Sequence, residues 1–285
     1  IRTTVFLKGC PLRCPWCHNI EGISPYPELV FREALCVEGC TECNDVCPLK
    51  IDVRREWRQL QETTCVIDCG RCVTACPTKA LELVGREMGV EKVLEEVIKD
   101  KVFYEVSGGG VTLSGGEPLL QGEFTVCLVQ NLKASGVHTI VETCGVGNTY
   151  FLKELLKLVD MVILDIKLGT PKEYEKIVDA KDGEKIFENL EIIAHSNVRK
   201  IIRVPCIPNY TDSIDNVSAI KKLLKNLRIV NLERVEVLPY NTLGRYKHAL
   251  LGRGRSPVLG KYRMLPSDVA QLLARLGMPV HLYKH

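Results

Sequence analysis

Two kinds of hydrophobic segment alternate along most of the chain. Short runs are apolar throughout and rich in β-branched residues, which is typical of buried strands, whereas longer segments repeat apolar residues at helical spacing. Strands are predicted at 3–8, 111–113, 138–143, 161–166, 200–204, 233–238 and 279–283. Helices are predicted at 90–102, 121–135, 149–158, 184–195, 213–227 and 267–276.

This alternation predicts an α/β fold built on a parallel sheet, either an open sheet or a partial barrel. In both arrangements ligands bind at the carboxyl ends of the strands. Polar motifs lie at those ends: SGGEP follows 111–113, Glu142 lies near the end of the next strand, and Asp165 and Lys167 mark the end of the one after. The candidate site is therefore expected at one edge of the sheet.

Composition narrows the class of partner. The 285 residues include 38 Lys and Arg against 35 Asp and Glu, so no charge excess favours nucleic acid or a membrane surface. With 46% hydrophobic residues the chain can bury a sizeable core, and no apolar run reaches the length of a membrane helix. Position 1 falls inside a strand-like run, so an upstream segment is expected, and a leader within it would not be visible.

The cysteine content is unusual: there are fourteen cysteines, and eleven precede residue 77 in three tight groups. Cysteines two or three residues apart suit a shared metal centre better than separate disulfides. The first group, Cys10, Cys14 and Cys17, offers three ligands. Three thiolates on a four-iron cube leave one iron open, which predicts that a small molecule binds there. The alternative is a fourth ligand from a later cysteine, namely Cys127, Cys144 or Cys206. Of these, Cys127 lies in a predicted helix and is expected to pack in the protein core.

The second and third groups share the spacing C-x3-C-x2-C-x3-C-P. They resemble the run of two-cluster bacterial ferredoxins, whose fourth cysteine ligates the other cluster, with one extra residue between the first two cysteines. By that rule one cube is held by Cys36, Cys40, Cys43 and Cys76, and the other by Cys65, Cys69, Cys72 and Cys47. A pair of zinc knuckles is the alternative. Residues 36–77 are short of apolar periodicity, so metal rather than a core is expected to hold them together.

The first cysteine group, with Trp16 before its last cysteine, resembles the motif of radical S-adenosylmethionine (SAM) enzymes. Together IRTTVFLKGCPLRCPWCHN, SGGGVTLSGGEPLLQ, VILDIK and VLPYNTLGRYKH resemble the glycyl-radical-enzyme activases, the pyruvate formate-lyase activating family, over residues 1 to about 250 apart from the cysteine-rich insert. The resemblance implies a partial (β/α)6 barrel of residues 1–30 and 84–285, with a ferredoxin-like insert of two [4Fe–4S] clusters at 31–83.

The resemblance also implies roles for residues around SAM. In that family SAM chelates the open iron of the catalytic cluster, which Cys10, Cys14 and Cys17 would hold here. Trp16 and His18 are then expected on the adenine side of SAM. The SAM amino group is expected at the Gly-Gly-Glu motif formed by Gly115, Gly116 and Glu117.

Further roles implied by the resemblance lie at the methionine end of SAM. Asp165 and Lys167 match the family's Asp-x-Lys, and the lysine suits the SAM carboxylate. Glu142 stands where the family often has Asp, in a cation site beside SAM. Arg203 is expected to face the same cavity, and Asn241 lies where the original activase has a SAM-contacting His.

As a member of this family, the chain would be an oxidoreductase that cleaves SAM reductively and removes a hydrogen from a glycine Cα of a glycyl radical enzyme. Its implied cofactors are three [4Fe–4S] clusters, SAM and a monovalent cation near Glu142. Its expected partners are that protein substrate and a low-potential electron donor such as flavodoxin or ferredoxin, with no nucleic acid and no membrane. A monomer in an anaerobic cytoplasm is expected. Two alternatives stay open: another radical SAM enzyme that modifies peptides, and a non-catalytic iron–sulfur electron carrier.

A basic stretch between Pro239 and Ser267 has a separate interpretation. It contains no acid and is interrupted by glycines, which predicts a loop. Its basic residues are Arg245, Lys247, Arg253, Arg255, Lys261 and Arg263. A solvated surface is one interpretation. The other is a docking edge for the large protein substrate, a hypothesis that centres on Arg253 and Arg255.

Overall fold

The computed structural model describes residues 1–60, 69–253, 258 and 260–283. The strands are β1 (Arg2–Leu7), β2 (Glu28–Phe31), β3 (Leu81–Val84), β4 (Gly110–Gly115), β5 (Thr139–Thr143), β6 (Met161–Asp165), β7 (Arg199–Cys206), β8 (Leu232–Pro239) and β9 (Val280–Leu282). The helices are α1 (Glu42–Asp45), α2 (Val53–Glu56), α3 (Arg71–Ala75), α4 (Val90–Ile98), α5 (Lys101–Ser107), α6 (Gly122–Ala134), α7 (Thr149–Leu156), α8 (Pro171–Val178), α9 (Gly183–His195), α10 (Ile214–Leu227), α11 (Arg245–Leu250) and α12 (Pro266–Ala274).

Seven strands form one sheet in the order β1-β4-β5-β6-β7-β8-β9, and every neighbouring pair in it is parallel. These are the seven strands expected from the hydrophobic pattern, each within two residues at its ends. The prediction of an α/β fold on a parallel sheet is confirmed. Across the described ranges, none of the helices is both long enough and apolar enough to span a bilayer.

Several helical segments differ from the prediction. The short helices α1, α2, α3 and α11 were not expected, and α11 lies in the basic stretch that was predicted to be a loop. The helix expected at 90–102 is two helices, α4 and α5, which meet at Asp100. A tertiary contact accompanies the break, because the Asp100 carboxylate accepts a 2.6 Å hydrogen bond from the Thr3 hydroxyl of β1. Helix α8 has no counterpart among the predicted helices, although Thr170 caps it and Pro171 opens it. Both residues are start signals that a sequence can show.

The two faces of the sheet differ in character. Val111 and Leu113 of β4 belong to the main core. Thr112 and Ser114 alternate with them and so face the other side, where Thr112 lies in register with Ile140. A small apolar cluster occupies that side and consists of Ile140, Met161, Ile163 and Ile201. Polar side chains near the carboxyl ends of the same strands form the site described below.

The cysteine-rich segment is bracketed by an antiparallel pair, β2 with β3, so its two ends leave the main fold side by side. It has a small core of its own, in which Val53, Trp57 and Leu60 are at most 4% exposed. The expectation that this segment lacks a hydrophobic core is therefore wrong, while the expectation of metal stays a prediction. The i, i+4, i+7 spacing of these three residues is a helical signal that the sequence analysis did not use. Cys65 lies outside the described residues.

Lys200 of β7 is a fully buried cation. Its ammonium group donates hydrogen bonds of 2.6–2.7 Å to three carbonyl oxygens, those of Ser196, Val198 and Val230. Burial lowers the pKa of Lys200 from 10.5 to about 8. These carbonyl contacts use all three N–H donors of the charged amine.

We expect Lys200 to make stability depend on pH in the alkaline range. Between about pH 8 and pH 10.5 the unfolded chain binds more protons at this group than the folded chain, so stability rises with pH. Relative to Lys200→Met, the wild type should gain up to about 1.4 kcal/mol per pH unit in that interval. Thermal unfolding of both proteins under nitrogen at several pH values measures the difference. A difference that is constant with pH contradicts the lowered pKa.

Candidate active site

The loop after β1 carries the first three cysteines and is closed by backbone hydrogen bonds. The Gly9 N–H donates to the Gly22 carbonyl at 2.8 Å, and the Cys10 N–H donates to the Ile23 carbonyl at 3.0 Å. These contacts join the start of the loop to its end. The loop is therefore a closed turn of chain at the carboxyl end of the first strand.

Two residues of the basic stretch form ion pairs with acids that follow the three cysteines in the sequence. Arg253 pairs with the buried carboxylate of Glu28, and Lys247 pairs with Glu21. For these two side chains the hypothesis of a free docking edge is wrong, because each is bound within the protein. Arg255, the other residue on which that hypothesis centred, lies outside the described residues.

Gly115 and Gly116, at the end of β4, lie against the backbone of the cysteine loop. Gly115 has a φ of +107°, which favours glycine, and the adjoining Glu117 N–H donates to the Gly9 carbonyl at 2.8 Å. A methyl group on Gly116 would lie 2.5 Å from the Gly22 carbonyl oxygen and closer still to that of Gly9. Only glycines allow the loop to approach the sheet so closely.

A cavity of about 240 Å³ lies between the cysteine loop and the carboxyl ends of the strands. It brings together most of the predicted site: Cys10, Cys14, Trp16, Cys17, His18, Gly115, Gly116, Glu117, Glu142, Asp165 and Lys167. Arg203 and Asn241 are absent from its described lining. Cys144, which the sequence analysis raised as a possible fourth ligand, lies on the same wall. Residues that the sequence analysis did not place in the site complete it: Asn19, Ser114, Thr143, Pro205, Ile207, Leu238 and Pro239. Most of these lie at strand ends, which is the signal that could have found them.

The three cysteines of the loop are suited to a metal centre. Burial raises the pKa of Cys10 to about 11 and that of Cys14 to about 12, and it also raises the pKa of Cys17. The charge of Lys167 acts in the opposite direction on all three. Free thiolates are therefore disfavoured here, whereas metal binding would compensate their charge. Three thiols lining one cavity fit a [4Fe–4S] cluster with one open iron.

The three later cysteines lie in different environments. Cys144 lines the cavity, but its thiol donates to the Glu117 carboxylate at 3.0 Å. Cys206 is buried with its thiol 3.7 Å from the Met264 carbonyl oxygen. Cys127 is exposed, so the expectation that it packs in the core is wrong. A thiol that already donates to a carboxylate is a poor metal ligand, which favours the three-cysteine interpretation.

The Glu117 carboxylate connects the end of β4 to the end of β5. It accepts hydrogen bonds from the Leu119 N–H at 3.1 Å, the Thr143 hydroxyl at 2.6 Å, the Cys144 N–H at 2.9 Å and the Cys144 thiol. Burial raises the pKa of Glu117, and these donors act in the opposite direction. A carboxylate offers about four acceptor positions, and all are used within the protein. Glu117 therefore shapes the cavity rather than offering a free oxygen to a ligand.

A row of charged side chains crosses the sheet beside the cavity. Glu142 accepts a 2.9 Å hydrogen bond from the Ser114 hydroxyl and pairs with Arg203. Arg203 also donates to Glu236 at 2.9 Å, and Glu236 pairs with Arg234 at 2.8 Å. Burial raises the pKa of Glu142, while Arg203 acts to lower it. Arg203 is therefore separated from the cavity by Glu142, which lines it. The sequence analysis did not single out Glu236 or Arg234.

Asp165 and Lys167 form a 3.1 Å ion pair through Asp165 Oδ2. The other carboxylate oxygen, Oδ1, is buried and has no hydrogen-bond partner in the described parts of the chain. Burial acts to lower the pKa of Lys167, but the charges of Asp165 and Cys14 raise it well above its usual range. An unsatisfied buried oxygen beside a cation suits a ligand that brings its own donor, such as an amino group.

Two aromatic residues of the cysteine loop also line the cavity. Trp16 is buried, with its ring centre 5.6 Å from that of Tyr210. His18 Nε2 lies 2.7 Å from the Asn241 carbonyl oxygen. The Asn241 side chain accepts a 2.8 Å hydrogen bond from the Leu243 N–H. Asn241 therefore bonds to His18 through its backbone, while its amide caps the following turn.

A second, smaller cavity lies in the cysteine-rich segment. Its lining includes the four cysteines that the ferredoxin rule assigns to one cluster: Cys36, Cys40, Cys43 and Cys76. Arg54 lies on the same wall, and a hydrogen bond with Cys36 raises the Arg54 pKa. No three His, Cys, Asp or Glu side chains among the described residues converge tightly enough for a single metal ion. Four cysteines on one wall are also the donor set that a four-iron cube takes.

Comparison with known proteins identifies the family. The family model for the radical SAM superfamily matches residues 63–219. The chain is 38% identical over 249 residues to the trans-4-hydroxy-L-proline dehydratase activating enzyme of Clostridioides difficile, covering 87% of this chain and 82% of that protein. The chain belongs to the radical SAM activating enzymes of glycyl radical enzymes.

Other relatives of this activating enzyme agree. It is 34% identical over 293 residues to the choline trimethylamine-lyase activating enzyme of Oleidesulfovibrio alaskensis, covering 100% of this chain and 93% of that protein. A domain of the pyruvate-formate lyase-activating enzyme of Bacteroides vulgatus matches with a TM-score of 0.51 at 22% identity, over 62% of this chain and 99% of that domain. That structural match supports the fold alone. Membership of the superfamily implies a [4Fe–4S] cluster and SAM.

Proposed function

We propose that this activating enzyme cleaves SAM and removes one hydrogen atom from a glycine Cα of a glycyl radical enzyme. The supporting observation is a single cavity lined by the three-cysteine loop, the Gly115–Gly116 pair, and Asp165 with Lys167. A reduced cluster held by Cys10, Cys14 and Cys17 would supply the electron that breaks the bond between sulfur and C5′ of SAM. Methionine would leave, and the 5′-deoxyadenosyl group would take the glycine hydrogen to become 5′-deoxyadenosine, with a glycyl radical left on the partner.

The residues of the cavity have distinct roles in this proposal. Cys10, Cys14 and Cys17 would hold the cluster. Asp165 Oδ1, unsatisfied in the described structure, would accept a hydrogen bond from the SAM amino group, and Lys167 would pair with the SAM carboxylate. No side-chain acid or base is needed, because hydrogen leaves the glycine as an atom. The protein contributes orientation and the exclusion of water.

Trp16 and His18 would flank the adenine side of SAM. The apolar strand ends supply the rest of that wall, through Pro205, Ile207 and Leu238. The glycine backbone at 115–116 permits close approach of the amino end. Arg203 and Asn241 support this arrangement indirectly, the first through Glu142 and the second through His18.

We infer that the main sheet and its helices form the partial (β/α)6 barrel of 1–30 and 84–285, and that 31–83 is a ferredoxin-like insert. The bracketing β2–β3 pair and the cavity lined by four cysteines support the insert. Three [4Fe–4S] clusters require about twelve irons per chain, two require about eight, and zinc in the insert would add none. Iron and zinc analysis of anaerobically reconstituted protein separates these possibilities.

Other parts of the proposal concern charge and partners. A monovalent cation beside Glu142 stays a prediction, although Arg203 already balances that carboxylate. A low-potential electron donor such as flavodoxin or ferredoxin, a monomeric state and an anaerobic cytoplasm are proposed with it. Gel filtration tests the monomer, and SAM binding with potassium or sodium replaced by choline tests the cation.

The function is tested with reduced, reconstituted protein, SAM, and a peptide that carries the sequence of a glycyl-radical loop, with its glycine deuterated at Cα. Mass spectrometry then reads deuterium in the released 5′-deoxyadenosine. Deuterium in the product supports both the radical chemistry and the glycine target. Unlabelled 5′-deoxyadenosine shows that SAM is cleaved but that the hydrogen does not come from that glycine. No product from protein with intact, reduced clusters contradicts the proposal.

Asp165→Asn should weaken SAM binding by about tenfold or more, because a neutral amide pairs less strongly with an ammonium group than a carboxylate does. Isothermal titration of reconstituted protein with SAM measures this loss. The matched control is Asp215→Asn, at an exposed position on α10, which should bind SAM as the wild type does. Equal affinity of Asp165→Asn and wild type would remove Asp165 from the site.

A further inference from the structure

The segment that forms one side of the insert cavity differs in charge from the rest of the chain. Residues 33–46 contain four acids and no Lys or Arg, whereas the whole chain has a formal net charge of +3. The acids are Glu33, Glu38, Glu42 and Asp45, and all four are exposed. None of them forms an ion pair with a described residue. Their charge is therefore directed to the solvent.

Exposed apolar side chains lie among these acids, next to the cysteines. Leu35 is 47% exposed and Val37 is 54% exposed, on either side of Cys36. Val37 and Glu42 themselves line the cavity with Cys36 and Cys40. Both cysteines are half-buried, so a group that they hold lies close to the surface. We name this surface, residues 33–46, the acidic cysteine face.

Exposed apolar side chains mixed with acidic ones, next to four cysteines that line one cavity, have the composition of a transient protein interface. Complexes of this kind are small, and charge sets how fast they form. The negative rim selects a positively charged partner and repels an acidic one. Arg54 is the cation on the described cavity wall, and the four exposed acids of the face outnumber it.

We propose that the acidic cysteine face docks an electron-donating protein whose own surface is basic around an apolar centre. Such a surface belongs to oxidoreductases that reduce ferredoxins. The insert then acts as the ferredoxin that such a donor reduces. One electron would pass from the reduced cofactor of the donor to the cluster that Cys36, Cys40, Cys43 and Cys76 would hold. The negative face disfavours an acidic flavodoxin, so a flavodoxin donor of the kind proposed above would have to dock elsewhere on the chain. This inference rests on the proposed function, since it needs the insert cluster.

Binding tests the inference without relying on activity. The full chain, reconstituted with its iron–sulfur clusters, is immobilised anaerobically. Two probes are compared: a ferredoxin reductase with a basic docking face, and an acidic flavodoxin. We expect the reductase to bind, and its association rate to fall as salt rises. Glu33→Lys with Glu38→Lys should slow that association by about tenfold or more. The matched control, Glu87→Lys with Glu191→Lys, makes the same charge change at exposed positions outside the face.

Each outcome decides for or against the face. Stronger binding of flavodoxin than of the reductase overturns the inference, as does an equal effect of the face variant and its control. Iron content verifies that the variants keep their clusters. If a variant loses iron, Leu35→Ser replaces it, and unchanged binding of the reductase then counts against the face. The proposed function is measured separately as 5′-deoxyadenosine formed with dithionite, so its failure is distinguishable from failure of docking.

Discussion

Replacing Cys14 by serine is expected to abolish SAM cleavage and to remove about four of about twelve irons per chain. Cys14 lines the cavity with the other two cysteines of the loop. Burial raises the pKa of the Cys14 thiol to about 12. A serine hydroxyl at this position does not ligate iron as a thiolate does. With two cysteines left, the loop cannot hold a cube, while the insert cysteines are untouched.

The control is Cys127→Ser, because Cys127 is exposed on α6 and lies outside the cavity lining. It should retain full iron and wild-type formation of 5′-deoxyadenosine. Iron analysis and electron paramagnetic resonance of the reduced proteins separate the two variants. A Cys14→Ser protein that keeps all its iron and its product would contradict the assignment of the catalytic cluster.

Gly116→Ala is expected to lower SAM cleavage by at least about a hundredfold, because a shift of about 1 Å in a catalytic loop costs that much. The added methyl group would lie 2.5 Å from the Gly22 carbonyl oxygen and closer to that of Gly9, both in the backbone that surrounds the cysteines. Backbone cannot rotate away as a side chain can, so the cysteine loop must move off the sheet. Overpacking of this kind also costs about 1–3 kcal/mol of stability.

Gly89→Ala is the matched control, since its methyl group would meet at 3.3 Å only the movable Glu91 carboxylate, at a φ of −68°. It should cleave SAM as the wild type does. Single-turnover formation of 5′-deoxyadenosine, normalised to iron content, measures both variants. If Gly116→Ala keeps its iron and reacts at the wild-type rate, close contact between the Gly-Gly motif and the loop is not needed for the chemistry.

Local signals in the sequence located most of the candidate site. Three cysteines within eight residues cannot lie far apart, so Cys10, Cys14 and Cys17 line one cavity whatever the rest of the fold does. The strand ends were also predictable, because an all-apolar run of β-branched residues stops where the sheet stops. Parallel strands then bring their carboxyl ends to the same edge, and this places Asp165 beside the cysteine loop.

Contacts between distant side chains were not predictable in the same way. Glu117 was expected to meet the SAM amino group, yet Thr143 at the end of the next strand and Cys144 just after it use its oxygens. Arg203 was expected in the cavity, but Glu142 and Glu236 on other strands hold it to one side. In each case the deciding partner is more than twenty residues away, and sequence spacing does not show which side chains meet.

The sequence by itself thus determined the α/β alternation, the cysteine groups and the order of the motifs, because these depend on the local period and on short-range spacing. Tertiary structure alone decided which polar groups stay free for a ligand. Burial and pairing settle that choice: Glu117 is satisfied by protein donors, whereas Asp165 keeps one buried oxygen without a partner in the described structure. A carboxylate in the sequence shows that charge is present, but only packing decides whether that charge is already matched.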